Sequence, residues 1–254
     1  PFGHAGEDAL DECMQNYGGF DHNLQTLRIV MFLENKYFKF KGLNLSIETL
    51  EGLLKHNGPV KNTDLVNNLI GLKKFNNKIN FNTYPSLEAQ ISAISDDIAY
   101  NNHDIQDGIK ANLFKLEELI EIDFFKSIYF KYKNKINKQN YKIATYQIIR
   151  DSIDLMIRDL LSNTQNNLKV LKIKSIKDVA RSDQLIVSFS SKLQNSEKEI
   201  RFFLRTKMYN NQSVLRKNQR GKVIIKKLFN IIKSNPRKFL TKDQLTKDKF
   251  RAIS

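Results

Sequence analysis

The chain has 254 residues, 41% of them hydrophobic, which is enough to bury a core for one large domain or two small ones. Ten glycines and four prolines argue against a barrel or sandwich of many tight turns, and no run approaches the roughly 18 apolar residues a membrane helix needs. A formal charge of +15 gives a surface that draws polyanions such as nucleic acid or nucleoside triphosphates, and the single Cys13 excludes a disulfide framework or a cysteine-built zinc site and fits a reducing, cytoplasmic setting.

Apolar residues recur at helical spacing almost throughout, which predicts an all-α chain. "HAGEDALDECMQNY" reads as a first helix closed by Gly18-Gly19, and "HNLQTLRIVMFLENKYF" follows with Leu24, Leu27, Val30 and Met31 on a helical repeat. "SIETLEGLLKH" starts on Ser46 as an N-cap and stops before Asn57-Gly58-Pro59. The Asn-rich stretch from Lys61 to Thr83 reads as a long surface loop. "PSLEAQISAISDDIAYNNHDIQDGI" restarts a helix behind Pro85, with a capping box expected from Ser86. From about Phe124 the pattern becomes longer amphipathic helices, among them "KIATYQIIRDSIDLMIRDLL", "EKEIRFFLRTKMY" and "GKVIIKKLFNIIK". Leu185-Ile186-Val187 is compatible with a short strand or with a helix running into Phe189. The division expected is residues 1–123 and 124–254.

Two groups of residues carry chemistry. His4 and Glu7, three apart, share one helical face, where a carboxylate favours the protonated imidazole and fixes its orientation, the state a general acid needs. Read by spacing alone, the same pair also suits a solvated helix face. Asp96, Tyr100 and Asp104 fall at i, i+4 and i+8, one stripe along a helix that also carries Ile91, Ile94, Ile98 and Ile105. Acids beside apolar positions need a cation or donor if buried. The other reading of that stripe is a polar edge facing water.

Taken together and in order, "PFGHAGE", "GGFDHNLQTLRIV", "GLNLSIETLEGLLKHNGP", "PSLEAQISAISDDIAYNNHDIQDGI" and "FFLRTKMYNNQSVLRKNQRGKVIIKKLF" resemble the bacterial deoxyguanosinetriphosphate triphosphohydrolase-like proteins of the HD superfamily of metal-dependent phosphohydrolases. The resemblance runs from Pro1 to about Pro236. It implies an HD-domain helical bundle at 1–123 with additional C-terminal helices packed on it. It also implies hydrolysis of a dNTP to the deoxynucleoside and tripolyphosphate with a divalent metal, magnesium or manganese. Carried over residue by residue, His4 matches the histidine that protonates the departing 5′-oxygen, Glu7 its orienting acid, and His22 a second histidine near the phosphates. Asp96 matches the last metal ligand, Tyr100 the residue against the deoxyribose, and Asp104 the acceptor for the sugar 3′-hydroxyl. Lys55 matches a basic position for the triphosphate. Asp97 is expected near the metal ligand or at the helix surface, and His56 and His103 in surface or loop roles.

The resemblance places the remaining metal ligands, a His and a His-Asp pair, upstream of Pro1, and lets relatives continue past "DKFRAIS". The chain is therefore expected to be truncated at both ends and inactive alone, because Asp96 cannot by itself hold a divalent ion against water. Relatives assemble as multimers, so a homo-oligomer is expected. The rival reading is a non-catalytic basic helical module for single-stranded DNA, suggested by "LRKNQRGKVIIKK", and a third is an HD phosphohydrolase acting on another nucleotide.

Overall fold

Several helix starts in this chain are set by short polar side chains that accept from otherwise orphaned backbone N–H groups. The computed structural model describes residues 2–75, 78–247 and 249–253. In it Asp21 accepts from the N–H of Leu24, Ser46 from Thr49, Asn62 from Leu65, Ser86 from Ala89, Ser175 from Asp178 and Ser190 from Leu193. The helices in chain order are α1 Gly3–Met14, α2 His22–Arg28, α3 Ile47–Leu54, α4 Thr63–Leu69, α5 Leu87–Lys110, α6 Asp123–Tyr132 and α7 Tyr141–Val170. They continue as α8 Ile176–Arg181, α9 Ser191–Leu204, α10 Gln212–Ser234, α11 Pro236–Phe239, α12 Lys242–Lys247 and α13 Lys249–Ile253. Single π-helical turns, Ile29–Leu33 and Arg205–Tyr209, extend α2 and α9. No strand occurs among the described residues, so the all-α expectation holds, and none of the described helices is long and apolar enough to cross a membrane.

Two compact units interleave along the sequence. The first gathers Pro1–Leu54, Lys61–Ile79 and Gln212–Ser254, and the second Lys55–Val60 and Asn80–Asn211. In the first, α1 lies along α10, with the ammonium of Lys222 2.9 Å from Asp8 and that of Lys226 paired with Glu12. Apolar side chains of α1, α2 and α3, among them Ala9, Met14, Leu27 and Leu50, are buried. Arg251 on α13 is buried and donates to the carbonyls of Tyr17, Gly18 and Gly19, the open end of the first helical segment, while Phe250 stacks on Tyr17. Those two glycines take positive φ, as the predicted stop signal requires.

The stretch from Lys61 to Thr83 is not the long surface loop expected of its composition. It folds into α4 and a 3-10 turn at Leu72–Phe75, and Val66, Ile70, Phe75 and Ile79 are buried. Asparagine there acts as punctuation: the side chain of Asn62 caps α4, and apolar residues spaced four apart supply a core face. Asn76 and Asn77, part of that expected loop, lie outside the described residues.

The second unit is built on α5, which packs against α7 and α9. Ile98, Ile105, Phe114, Phe125, Ile128, Ile148, Met156 and Phe203 are among the buried residues of its apolar core. A Cβ at Gly108 would sit 2.3 Å from the Phe114 ring, so only glycine lets that ring lie on α5. Ser86 caps α5, yet the capping box is incomplete because the third helical position is Ala89, which has nothing to reach back with. Leu185-Ile186-Val187 is neither strand nor helix. A side chain replaces the missing neighbour: Gln90 Oε1 accepts from the N–H groups of both Ile186 and Val187 at 3.0 Å, and Asn167 donates to the Ile186 carbonyl at 2.9 Å. Replacing the buried Gln90 with Leu orphans two backbone donors, and urea denaturation is expected to show a loss of about 2–4 kcal/mol.

Candidate active site

The first cluster sits in the first unit. His4 and Glu7 are one turn apart on α1, and the chain must double back to bring anything else beside them. The Gly18-Gly19 turn does this, fixed by the Gly19 N–H donating to the Met14 carbonyl at 2.9 Å and the Phe20 N–H donating to Asp11 Oδ1 at 2.6 Å. Asp21 then caps α2, which places His22 at its first position. Glu7 Oε1 lies 2.6 Å from His22 Nδ1 and accepts from the His22 backbone N–H at 3.2 Å, while Glu7 Oε2 lies 3.5 Å from His4 Nδ1. One carboxylate therefore spans two imidazoles, with His22 the closer partner.

Burial pushes Glu7 up, but the hydrogen bonds from the His22 ring and backbone, the His22 charge and the His4 ring together bring it below the usual carboxylate range. An ionised Glu7 only accepts, so His22 Nδ1 must carry the shared proton, leaving Nε2 to exchange a proton with a ligand. The His4 side chain is 81% exposed and that of His22 53%, so both rings are open to an incoming ligand.

The second cluster sits in the second unit, along α5. Asp96, one turn before Tyr100 and two before Asp104, is 73% exposed, and its Oδ2 lies 3.9 Å from Nε2 of His56. His56, expected in a surface or loop role, thus faces an acid, whereas His103 is exposed. Asp97 pairs with Arg201 Nη2 at 3.0 Å. Burial raises the Asp97 carboxyl, and the Arg201 charge opposes the rise only partly. Half-buried Asp104 accepts from the hydroxyl of Tyr209, and the Tyr100 side chain also bonds to it. Burial again pushes this acid above its usual range, against the bonds from Tyr209 and Tyr100. Burial, followed by the bonds to Asp104 and Tyr100, pushes the Tyr209 phenol far above its own range, so it remains a donor at any physiological pH. Lys55 is fully buried, and its ammonium donates to Thr83 Oγ1 at 3.0 Å.

Spacing alone could not find His56, Thr83 or Tyr209, since each meets its partner across at least 28 residues of sequence. A divalent metal centre needs several oxygen or nitrogen donors converging at about 2.0–2.6 Å from the ion. No group of three or more His, Cys, Asp or Glu among the described residues converges in that way. Asp96, with His56 as its ion-pair partner, is one donor and not a site, so these residues do not by themselves fit a magnesium or manganese centre.

A family model described as a phosphohydrolase-associated domain matches residues 187–250, which carry α9, its π turn and α10. All 254 residues align at 69% identity with the deoxyguanosinetriphosphate triphosphohydrolase-like protein of Pelagibacter ubique (strain HTCC1062), covering 68% of that protein. The chain belongs to this family. Proteins of the same description from Bartonella henselae and Rickettsia felis are 42% and 38% identical over 93% and 91% of the chain, which spans 60% of each. Within the family frame, the quoted blocks bearing His4, Glu7, His22, Asp96, Tyr100 and Asp104 all fall inside the fully aligned chain.

The raised carboxyl of Asp104 fixes a sign. Its contribution to stability is present below the unfolded value of 3.8 and is lost as pH rises through the higher folded value. Asp104→Asn has nothing to ionise, so its melting temperature relative to the wild type should become more favourable between about pH 3.5 and pH 7. A flat difference across that range would contradict the assignment.

Proposed function

We propose that a protein built on this chain, with further metal ligands supplied from outside the 254 residues, hydrolyses deoxynucleoside triphosphates, dGTP among them, to the deoxynucleoside and inorganic tripolyphosphate. The observation that carries this reading is the Glu7 carboxylate held between two exposed imidazoles, with His22 Nδ1 at 2.6 Å. Water adds to the α-phosphorus, the bond from phosphorus to the 5′-oxygen breaks, and an imidazolium delivers the proton that the leaving oxygen needs. In this reading Glu7 favours the protonated ring and holds its orientation. Asp104, with Tyr100 beside it, reads the sugar by accepting from its 3′-hydroxyl, while Lys55, buried against Thr83, is left out of the triphosphate contacts. Asp96 is the one donor proposed for a magnesium or manganese ion, which would supply charge neutralisation at the phosphates. The chemistry assigned to this chain stops at binding, orientation and proton movement. The names of the relatives support the substrate class.

A second reading, binding of single-stranded DNA, is favoured by α10. Lys222 and Lys226 are engaged by Asp8 and Glu12, but Arg216, Lys217, Arg220 and Lys227 are exposed on the same helix. Four phosphate contacts would give a slope of about −3 in log K against log salt.

Both readings are measurable. Chromatography of the products from each dNTP should show deoxynucleoside and tripolyphosphate in equal amounts, and release of monophosphate or orthophosphate would sink the reaction assigned. His22→Ala should lower kcat by about 10²–10⁴-fold with the melting temperature kept. For the second reading, filter binding of an oligonucleotide should lose its salt dependence when the four exposed cations are changed to Ala.

A further inference from the structure

In the second unit α5 and α9 run side by side in the same direction, tied at two levels. Arg201 Nη2 donates to Asp97 Oδ1 at 3.0 Å, and further along Tyr209 Oη donates to Asp104 Oδ2. On α5 the two acids are seven residues apart, two turns on one face. The two donors facing them are eight apart. A regular α-helix after Arg201 would bring Met208 to that face. The π turn Arg205–Tyr209, closed by the Asn210 N–H donating to the Arg205 carbonyl at 3.0 Å, absorbs the extra residue and delivers Tyr209 instead. Such turns cost helical hydrogen-bond geometry and recur where a displaced side chain has a task.

The task is visible in the contacts. Tyr209 meets Asp104 and Tyr100 together, so two phenols and one carboxylate form a connected group on half-buried ground. Without a donor, a carboxylate so placed would turn toward water or take up a proton. We propose that Tyr209 is a positioning residue for the sugar-reading acid: its hydroxyl holds the Asp104 carboxylate where it accepts from the 3′-hydroxyl of a deoxynucleotide. The inference rests on the role given to Asp104 under the proposed function. Tyr209 needs no contact with the substrate, since it acts through Asp104.

The test uses the full-length protein, with dGTP and 2′,3′-dideoxy-GTP as substrates. Tyr209→Phe keeps the ring and removes only the hydroxyl. KM for dGTP should rise about tenfold, the weight of a hydrogen bond to a charged group, while KM for the dideoxy substrate stays unchanged. In an Asp104→Asn background, Tyr209→Phe should produce no further change in that selectivity. Equal shifts for both substrates, or independent effects of the two substitutions, would overturn the proposal. Loss of the native melting transition in Tyr209→Phe would overturn it as well, assigning the hydroxyl to stability. A wild-type protein that turns over no dNTP would remove the functional reading and this inference with it. An active wild type whose selectivity survives Tyr209→Phe removes the inference alone.

Discussion

A carboxylate withdrawn from water must be met by a donor, and much of the described structure is arranged around that requirement. Glu7 is met by His22 and His4, Asp104 by Tyr209, and Asp159 by the N–H and hydroxyl of Ser190, and the more exposed Asp97 by Arg201. Apart from His4, which shares α1 with Glu7, each donor comes from a different element than its acid. Satisfying the acids therefore also fixes how helices approach one another. In the second unit, two such pairs set the register of α9 against α5, while Ile98, Ile105 and Phe203 provide the burial that makes the approach favourable.

Part of the basic composition is engaged in contacts of the same kind. Of the 42 lysines and arginines, several are committed inside the units: Lys222 and Lys226 to α1, Lys207 to Glu118 and Glu121, and Arg251 to three backbone carbonyls. Exposed cations remain on α10 and on many other elements, Lys126, Lys142, Lys169 and Lys192 among them, so the positive surface a polyanion would meet is spread widely.

Helix periodicity made the elements legible in the sequence, because an amphipathic repeat and a capping side chain are both local signals. The stop at Gly18-Gly19 and the starts at Ser46 and Ser86 follow from residues within four positions of each other. The stretch between Lys61 and Thr83 hides its helix for the opposite reason, since asparagine there caps a helix whose apolar face is short. Leu185-Ile186-Val187 was ambiguous because its backbone partners are the side chains of Gln90 and Asn167, which no local pattern announces. Within the candidate site, the pairs that lie on one helix were visible by spacing, and the resemblance supplied their roles. The partners across the fold were not visible, because the link between Tyr209 and Asp104 spans 105 residues.

The turn that carries His22 to Glu7 is held from far along the chain. Arg251 grips the carbonyls of Tyr17, Gly18 and Gly19 across more than 230 positions. During synthesis, α1 and α2 leave the ribosome long before that arginine exists. The paired imidazoles can form early, but the loop that aims one of them is locked only once the residues around position 251 have emerged. A helix distant in sequence thus completes the geometry of the turn that aims His22.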